Sequence, residues 1–292
     1  MSEITLDPKD LTQKEVHGHL LTAIAPRPIA LVSTIDLEGN VNLSPFSFFN
    51  VFSSRPPIMV FSPAKKGKDT LINAELTREV VINIVNYSIV EQMSLSSTTY
   101  PRGVNEFVKS GLTQQPSIKV KPPRVEESPV SFECTVDRII SYGDEPGAGN
   151  LIFAKVELIH IREEYMMDNG RMDTAKLDLV ARMGGSWYCR AIKDAMFEIP
   201  KPLDSLGIGV DSLPDHTRKS DILTGNNLGR LGNLPSTPSR EMMDQMRASP
   251  DVKRILEEFD GDPNQCRKSL HGLAQQYIMM NEMEKALAII YL

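Results

Sequence analysis

What this chain lacks narrows its role before any motif is read. It has no basic excess: 32 Lys and Arg stand against 38 Asp and Glu, a net charge of −6, which argues against a partner made of nucleic-acid phosphates. It has no apolar run near the ~20 residues that span a bilayer. Its polar opening, MSEITLDPKDLTQKEV, lacks the basic-then-apolar order of a secretory signal. Three cysteines, Cys134, Cys189 and Cys266, are far apart and odd in number, which argues against a disulfide scaffold and a CxxC metal or redox site. A cytoplasmic protein is the expectation. Also missing are GxSxG, HExxH, a P-loop and a GxGxxG after a strand, so the common hydrolase, zincin and dinucleotide signatures do not apply. His17-Gly-His19 pairs two metal-ligand types with no third nearby in sequence. Cys189 follows Trp187-Tyr188 and reads as a packed thiol.

What is present reads as β-rich for the first two-thirds. Pro28 to Ile35 is a strand, Asp36-Leu-Glu-Gly-Asn40 supplies turn chemistry, and Val41 starts a returning strand. Residues Ile58 to Phe61, Val80 to Val85, Val130 to Ile140, Leu151 to Ile161 and Leu177 to Arg182 add further strands. Hairpin-length connections favour an antiparallel barrel over a parallel sheet. Short helices are expected at Thr70, capped by Asp69 with Leu71, Ile72 and Leu76 facing inward, and at Gln92, behind a Ser88–Glu91 capping box. A further short helix runs from Asn105 to Gly111. Past about Leu206 the chain is loop-like and rich in Gly and Pro. From Ser239 it reads as helices: 239–248, 250–259 and one long helix over 264–291. The expected division is 1–205 for the barrel and 206–292 for a helical C-terminal extension.

Two stretches carry chemistry. In Ser62-Pro-Ala-Lys-Lys-Gly-Lys-Asp-Thr70, three lysines precede a helix start. Backbone N–H groups, the helix dipole, Lys68 and the Thr70 hydroxyl would together suit a phosphate. The same residues also fit a solvated lysine loop with an Asp N-cap. In Asn42-Leu-Ser-Pro-Phe-Ser-Phe-Phe-Asn-Val-Phe-Ser-Ser-Arg-Pro-Pro57, the bulky residues change parity at Ser44-Pro45. A β-bulge there, with Ser44, Ser47 and Asn50 beside Phe46, Phe48 and Phe49, suits a flat ligand with polar edges. An irregular core strand ending at Pro56-Pro57 is the other reading.

These residues carry a resemblance. Ala25-Pro-Arg-Pro-Ile-Ala-Leu-Val-Ser-Thr34, then Gly39 to Asn50, then Ser54-x-Pro-Pro57 resemble the FMN-binding split-barrel family of flavin reductase-like proteins. That family includes flavoredoxins and the reductase component of nitrilotriacetate monooxygenase. Lys68-Asp-Thr70, Asn83-Ile-Val85, Glu106-Phe107 with Gly111-Leu112, Glu126-Ser to Pro129 with Glu133-Cys134, and Arg182-x-Gly-Gly-x-Trp-Tyr188 recur there in the same order. The match covers roughly 15–200. Residues Gly207 to Leu231 resemble a continuation in one branch.

The resemblance implies a mainly β fold with α additions, a Greek-key split β-barrel that dimerises, with FMN near the subunit interface. Ser44, Pro45, Phe46, Ser47, Phe48 and Asn50 would line the isoalloxazine and ribityl chain. Arg27 and Lys68-Asp69-Thr70 would meet the phosphate, and Arg182, Gly184 and Tyr188 would lie near the ring, from the partner subunit. The implied activity is that of an FMN-dependent oxidoreductase, NAD(P)H:flavin reductase-like, alone or serving a partner monooxygenase or redox protein. A flavoredoxin-type electron carrier and a non-catalytic flavin-binding module with a helical interaction tail are the alternatives.

Overall fold

The computed structural model describes residues 2–64, 67–145, 147–199 and 206–292. Lys65 and Lys66 of the lysine loop, and the expected boundary after residue 205, lie outside the described residues. The chain divides into two compact units, Met1–Phe197 and Glu198–Leu292.

The first unit opens with helix α1 (Gln13–Ala23), started by a reciprocal Thr12/Glu15 capping box. Strands β1 (Ala30–Ile35), β2 (Val41–Phe46), β3 (Phe49–Ser54), β4 (Pro57–Phe61) and β5 (Glu79–Ile84) follow, with helix α2 (Asp69–Thr77) before β5. Helices α3 (Val90–Leu95) and α4 (Glu106–Ser110) lead to a small ribbon of β6 (Gln114–Gln115) and β7 (Arg124–Val125). The long hairpin β8 (Val130–Ser141) and β9 (Asn150–Ile161) comes next, then the ribbon β10 (Val180–Arg182) and β11 (Tyr188–Arg190). Seven strands form one antiparallel sheet in the order β2-β1-β5-β8-β9-β4-β3.

That order dictates the shape. The two outermost strands, β2 and β3, are consecutive in the chain and joined only by Ser47 and Phe48. Three Cα steps of 3.8 Å reach at most about 11 Å, so the opposite edges of the sheet must meet there and the sheet must roll up. Among the described residues no ladder joins β2 to β3, and the barrel stays split along that seam.

Two apolar cores follow, one on each face of the rolled sheet. The inner one takes side chains from all seven strands, among them Val32, Phe46, Phe49, Phe61, Ile82 and Ile152, and is plugged by Leu71 and Ala74 of α2. The outer one packs Leu31, Leu43 and Val85 under Met93 of α3, Phe107 of α4 and Val180 of β10. This explains the change of parity in β2 without a bulge. The register with β1 runs unbroken from Ile35↔Val41 to Ala30↔Phe46; Leu43 points to one core and Phe46 to the other. Pro45 fits because β2 is an edge strand. Leu43 N–H turns away from β1 to donate to Glu106 Oε2 at 3.0 Å, and Pro45, two residues on, takes the same outward position, where no ladder bond needs an N–H. The register shift of this region lies later, between Val51 and Ser53 in the β3–β4 pair.

Other local expectations are corrected. Lys68, not Asp69, is the N-cap of α2, and no side chain caps it. Leu76 faces solvent at 53 % exposure, while Thr70 and Asn73 are buried. No capping box forms at Ser88, whose hydroxyl donates to Asn86 Oδ1 at 2.7 Å; a 3-10 turn over Tyr87–Ile89 precedes α3 instead. Asn105 and Gly111 do bound α4, Gly111 in the left-handed region at φ 67°.

The second unit is helical: α5 (Asp215–Arg218), α6 (Gly225–Gly232), α7 (Arg240–Ala248), α8 (Pro250–Glu258), α9 (Pro263–Met279) and α10 (Met283–Ile290). Helices α5 and α6 occupy part of the segment read as loop. The long final helix is two helices, broken at Asn281 in the left-handed region (φ 62°). Arg230 of α6 braces that break, donating to Ile278 O and Asn281 Oδ1, both at 2.9 Å. Gly207 and Gly232 allow a backbone crossing: a Cβ on Gly207 would sit 2.5 Å from Gly232 O.

Candidate functional site: the seam between the two sheet edges

The seam runs past the residues that the sequence singled out. Ser62, just after β4, and Thr70, at the start of α2, are each tied to the stretch 42–48. Ser62 N–H donates to Phe48 O at 2.9 Å, and Asn42 Nδ2 donates to Thr70 Oγ1 at 2.9 Å. The start of α2, with Lys68 as its N-cap, therefore lies at the Asn42 end of β2. On the other flank, His17 of α1 meets the Phe48 ring edge-on at 6.3 Å. Thr22 of the same helix abuts Gly184, where a Cβ would lie 2.6 Å from Thr22 Oγ1. Helix α1 thus links Phe48 to the β10–β11 ribbon, and only a glycine at 184 permits that approach. These contacts link β2 to the start of α2 at Asn42, to α1 at Phe48, and α1 in turn to the ribbon at Gly184.

Their individual placements differ from expectation. Phe46 is a core residue, packed on Phe61 with centroids 5.5 Å apart. Thr70 is fully buried, and its hydroxyl oxygen accepts from Asn42 Nδ2. Arg27 is buried, and its guanidinium donates to the carbonyls of Leu21, Ile24 (2.7 Å) and Met183 (3.0 Å). It closes the C-terminal end of α1, and burial with Arg182 nearby lowers its pKa. It braces α1 against Met183 in the turn of the ribbon, and its Nε is buried with no hydrogen-bond partner among the described residues. Asp69 faces Arg102 at 3.7 Å, and Asn50 Oδ1 accepts from Val51 N–H at 2.8 Å. Ser44 is buried, Pro45 and Ser47 are half-buried, and Phe48 is 37 % exposed. Arg182 lies over the Tyr188 ring at 4.6 Å and donates to Gly185 O at 2.9 Å.

Lys68 and the uncapped start of α2 fit an anion: the first-turn N–H groups of a helix have no intrahelical partner, and no side chain takes that role here. Glu106, missed by residue-level reading, is 7 % exposed and holds the β2 edge through Leu43 N–H. Burial pushes its carboxyl pKa up. An acid at the first position of a short helix is ordinary, and only the Glu106-Phe107 pair in the resemblance marks it. Thr22 is also missed, with nothing local to mark it, while the sequence shows His17 only as a metal-ligand pair with His19 and Asn42 only as the start of the phenylalanine-rich stretch. A 220 Å³ cavity adjoins the ribbon, lined by Tyr87, Val180, Tyr188 and Cys189 among others. A larger one, 480 Å³, lies between 124–131 and 159–163, away from the seam. His17 and His19 sit on α1, and among the described residues no three or more His, Cys, Asp or Glu could hold a metal together. No helix among them is long and apolar enough to cross a membrane.

A rolled antiparallel sheet left open between consecutive edge strands defines a split-barrel protein. The family model for the flavin reductase like domain matches residues 22–176, and the chain belongs to that family. A protein of Aquifex aeolicus is 35% identical over 184 residues, covering 62% of this chain and 92% of its own. The crystal structure of nitrilotriacetate monooxygenase component B from Bacillus cereus superposes with a TM-score of 0.64 at 28% identity, covering 68% of this chain and all of that one. A putative flavin reductase with split barrel domain from Shewanella frigidimarina shares the fold, with a TM-score of 0.59 at 22% identity, covering 68% of this chain and 100% of its own.

Proposed function

We propose that the protein binds FMN in the β2–β3 seam and acts as an NAD(P)H:flavin reductase-like oxidoreductase. The observation that carries this reading is that the uncapped start of α2 is held beside β2, by Asn42 Nδ2 donating to Thr70 Oγ1, while Ser62 N–H holds Phe48 O further along the same stretch. Lys68 and the first-turn amides of α2 would hold the phosphate. The edge from Ser44 to Asn50, with Phe48, would hold the ring and its side chain, partly through backbone groups. Gly184 lets α1 close on the ribbon that carries Arg182 and Tyr188. Bound FMN would supply the two-electron chemistry, taking hydride from NAD(P)H. With no Rossmann fingerprint in the sequence, the nicotinamide would share the flavin cleft. The exposed apolar residues Val51 and Phe52 of β3 support a homodimer, in which Arg182, Gly184 and Tyr188 would serve the partner's flavin. Likeness to a monooxygenase component supports a partner monooxygenase or redox protein as acceptor, in the cytoplasm.

The test is a titration of purified protein with FMN followed by anaerobic stopped-flow mixing with NADH or NADPH. Flavin uptake and bleaching at 450–460 nm, roughly where oxidised flavins absorb, are the expected outcome. Protein that takes up no FMN overturns the reading; uptake without bleaching by either nicotinamide leaves an electron carrier.

A further inference from the structure

The second unit contains a hydrogen-bonded chain of two histidines and a serine that the flavin chemistry does not use. His271 of α9 is 4 % exposed. Its Nδ1 lies 2.8 Å from Ser220 Oγ and its Nε2 lies 3.2 Å from His216 Nδ1. The two imidazoles stack with centroids 5.4 Å apart and planes 14° from parallel. Thr217 Oγ1 stands 3.4 Å from the same His216 nitrogen.

Counting donors and acceptors fixes the protons. Ser220 Oγ already accepts from Ile222 N–H and Leu223 N–H, both at 3.1 Å. A hydroxyl has two acceptor positions and one proton, so that proton goes to His271 Nδ1. His271 must then carry its own hydrogen on Nε2 and donate it to His216 Nδ1. His216 is left with its hydrogen on Nε2. The chain is directed and complete only while both rings are neutral. A proton added to His216 Nδ1 meets the His271 N–H head-on. A proton added to His271 Nδ1 meets a serine oxygen with no acceptor position left.

We propose that Ser220, His271 and His216 form a proton-operated latch, joining α5 and the 220–223 turn to α9 at neutral pH and releasing them on acidification. The surrounding charges favour the neutral rings. Arg267 of α9 lies near both rings, and Asp215 of α5 opposes it at His216. Asp215 is itself engaged by Arg218 and, at 4.0 Å, by Lys219. Asp221 pairs with Lys268 of α9 at 3.8 Å. On the elements packed behind, Arg230 of α6 is held by Ile278 O and Asn281, and Lys285 of α10 by Glu282 at 2.7 Å. Burial is the main cause lowering the pKa of each histidine, and each is lowered further by a neighbouring cation, Arg267. For a base whose folded pKa is depressed, stability is whole above the ordinary value near ~6.5 and falls as pH drops below it. The latch is therefore shut at pH 7.5 and opens towards pH 5.5.

Two measurements on the full chain decide it. Long-range nitrogen–proton NMR of the imidazoles at pH 7.5 should show His271 and His216 both unprotonated at Nδ1; a proton on His271 Nδ1 overturns the chain. Hydrogen exchange, corrected for intrinsic rates, should show amides of 220–223 and the middle of α9 opening more at pH 5.5 than at pH 7.5, by up to about tenfold for each histidine that takes its proton only when the latch is open. Amides of β1 should keep their protection. His271→Gln, which keeps an acceptor and a donor but takes no proton, should reduce the pH dependence to the part that His216 contributes. Equal opening at both pH values in the native protein, or an unchanged pH dependence in His271→Gln, overturns the latch. Should His271→Gln not fold, the native tautomers and the native exchange still decide.

Discussion

β2 and β3 are cut from one phenylalanine-rich stretch, yet they have opposite fates. β2 is buried on both faces, and its outward edge is held by Glu106 and blunted by Pro45. β3 is nearly all surface, with Phe52 69 % and Val51 63 % exposed. The contrast teaches that hydrophobic content alone does not place a strand. Position in the sheet does: β2 is overlaid by α2 inside and by α3 and α4 outside, whereas β3 has only β4 beside it. An apolar edge left in this condition invites pairing with another surface.

The comparison can be broken at its strongest point first. Phe61→Ala removes the fully buried partner of Phe46 and is expected to cost ~3–5 kcal/mol in urea unfolding. Next comes the edge of β2. Glu106→Ala leaves Leu43 N–H without its acceptor and should cost ~1–3 kcal/mol. Glu106→Gln keeps an acceptor and should cost far less at pH 7. The sign of its pH effect follows from the raised carboxyl pKa. The folded state holds this proton longer than the unfolded state, so ionising Glu106 lowers stability as pH rises above about 4.5. Glu106→Gln should remove that part of the slope, seen as a flatter midpoint-versus-pH curve.

A smaller effect tests the flank of β2 as a phosphate site. Lys68→Ala should weaken FMN by about 1 kcal/mol, or several-fold, and riboflavin hardly at all. Equal losses in a fluorescence titration would remove the phosphate assignment. Thr70→Val should leave the FMN-to-riboflavin ratio unchanged, because that residue is fully buried and its hydroxyl oxygen accepts from Asn42. The smallest effect belongs to β3: Phe52→Ala should alter unfolding by no more than ~0.5 kcal/mol while weakening self-association in sedimentation equilibrium. A large stability loss in a demonstrably monomeric sample would erase the distinction between the strands.

Much of the first unit was legible because β-branched runs such as Val80 to Ile84 and Ala30 to Ile35 leave little choice of conformation. The bulge at Ser44-Pro45 was misread because alternation assumes one wet face, and β2 has none. Phe48 and Phe49 look like a continuation of β2, since only topology shows that the chain has crossed to the far edge of the sheet. In the second unit, Gly225, Gly229 and Gly232 hid α6, although Thr224 and Asn227 form its capping box. The break at Asn281 was invisible because apolar spacing continues through it. The lysine loop and the phenylalanine-rich stretch could be found in sequence as candidates. The burial of Thr70 against Asn42 and the bond from Arg27 to Met183 could not, because each depends on a partner far along the chain.

The link of Ser47 and Phe48 has one more consequence. Six antiparallel pairings separate β2 from β3 across the sheet, an even number, so the two strands run in the same sense and the link carries the chain straight on from one rim to the other. Limited to about 11 Å, it works as a hinge pin between the two rims, and the roll of the sheet cannot be undone there without parting it. Inserting a single glycine in the link should loosen that pin while the ladders of both strands stay in register.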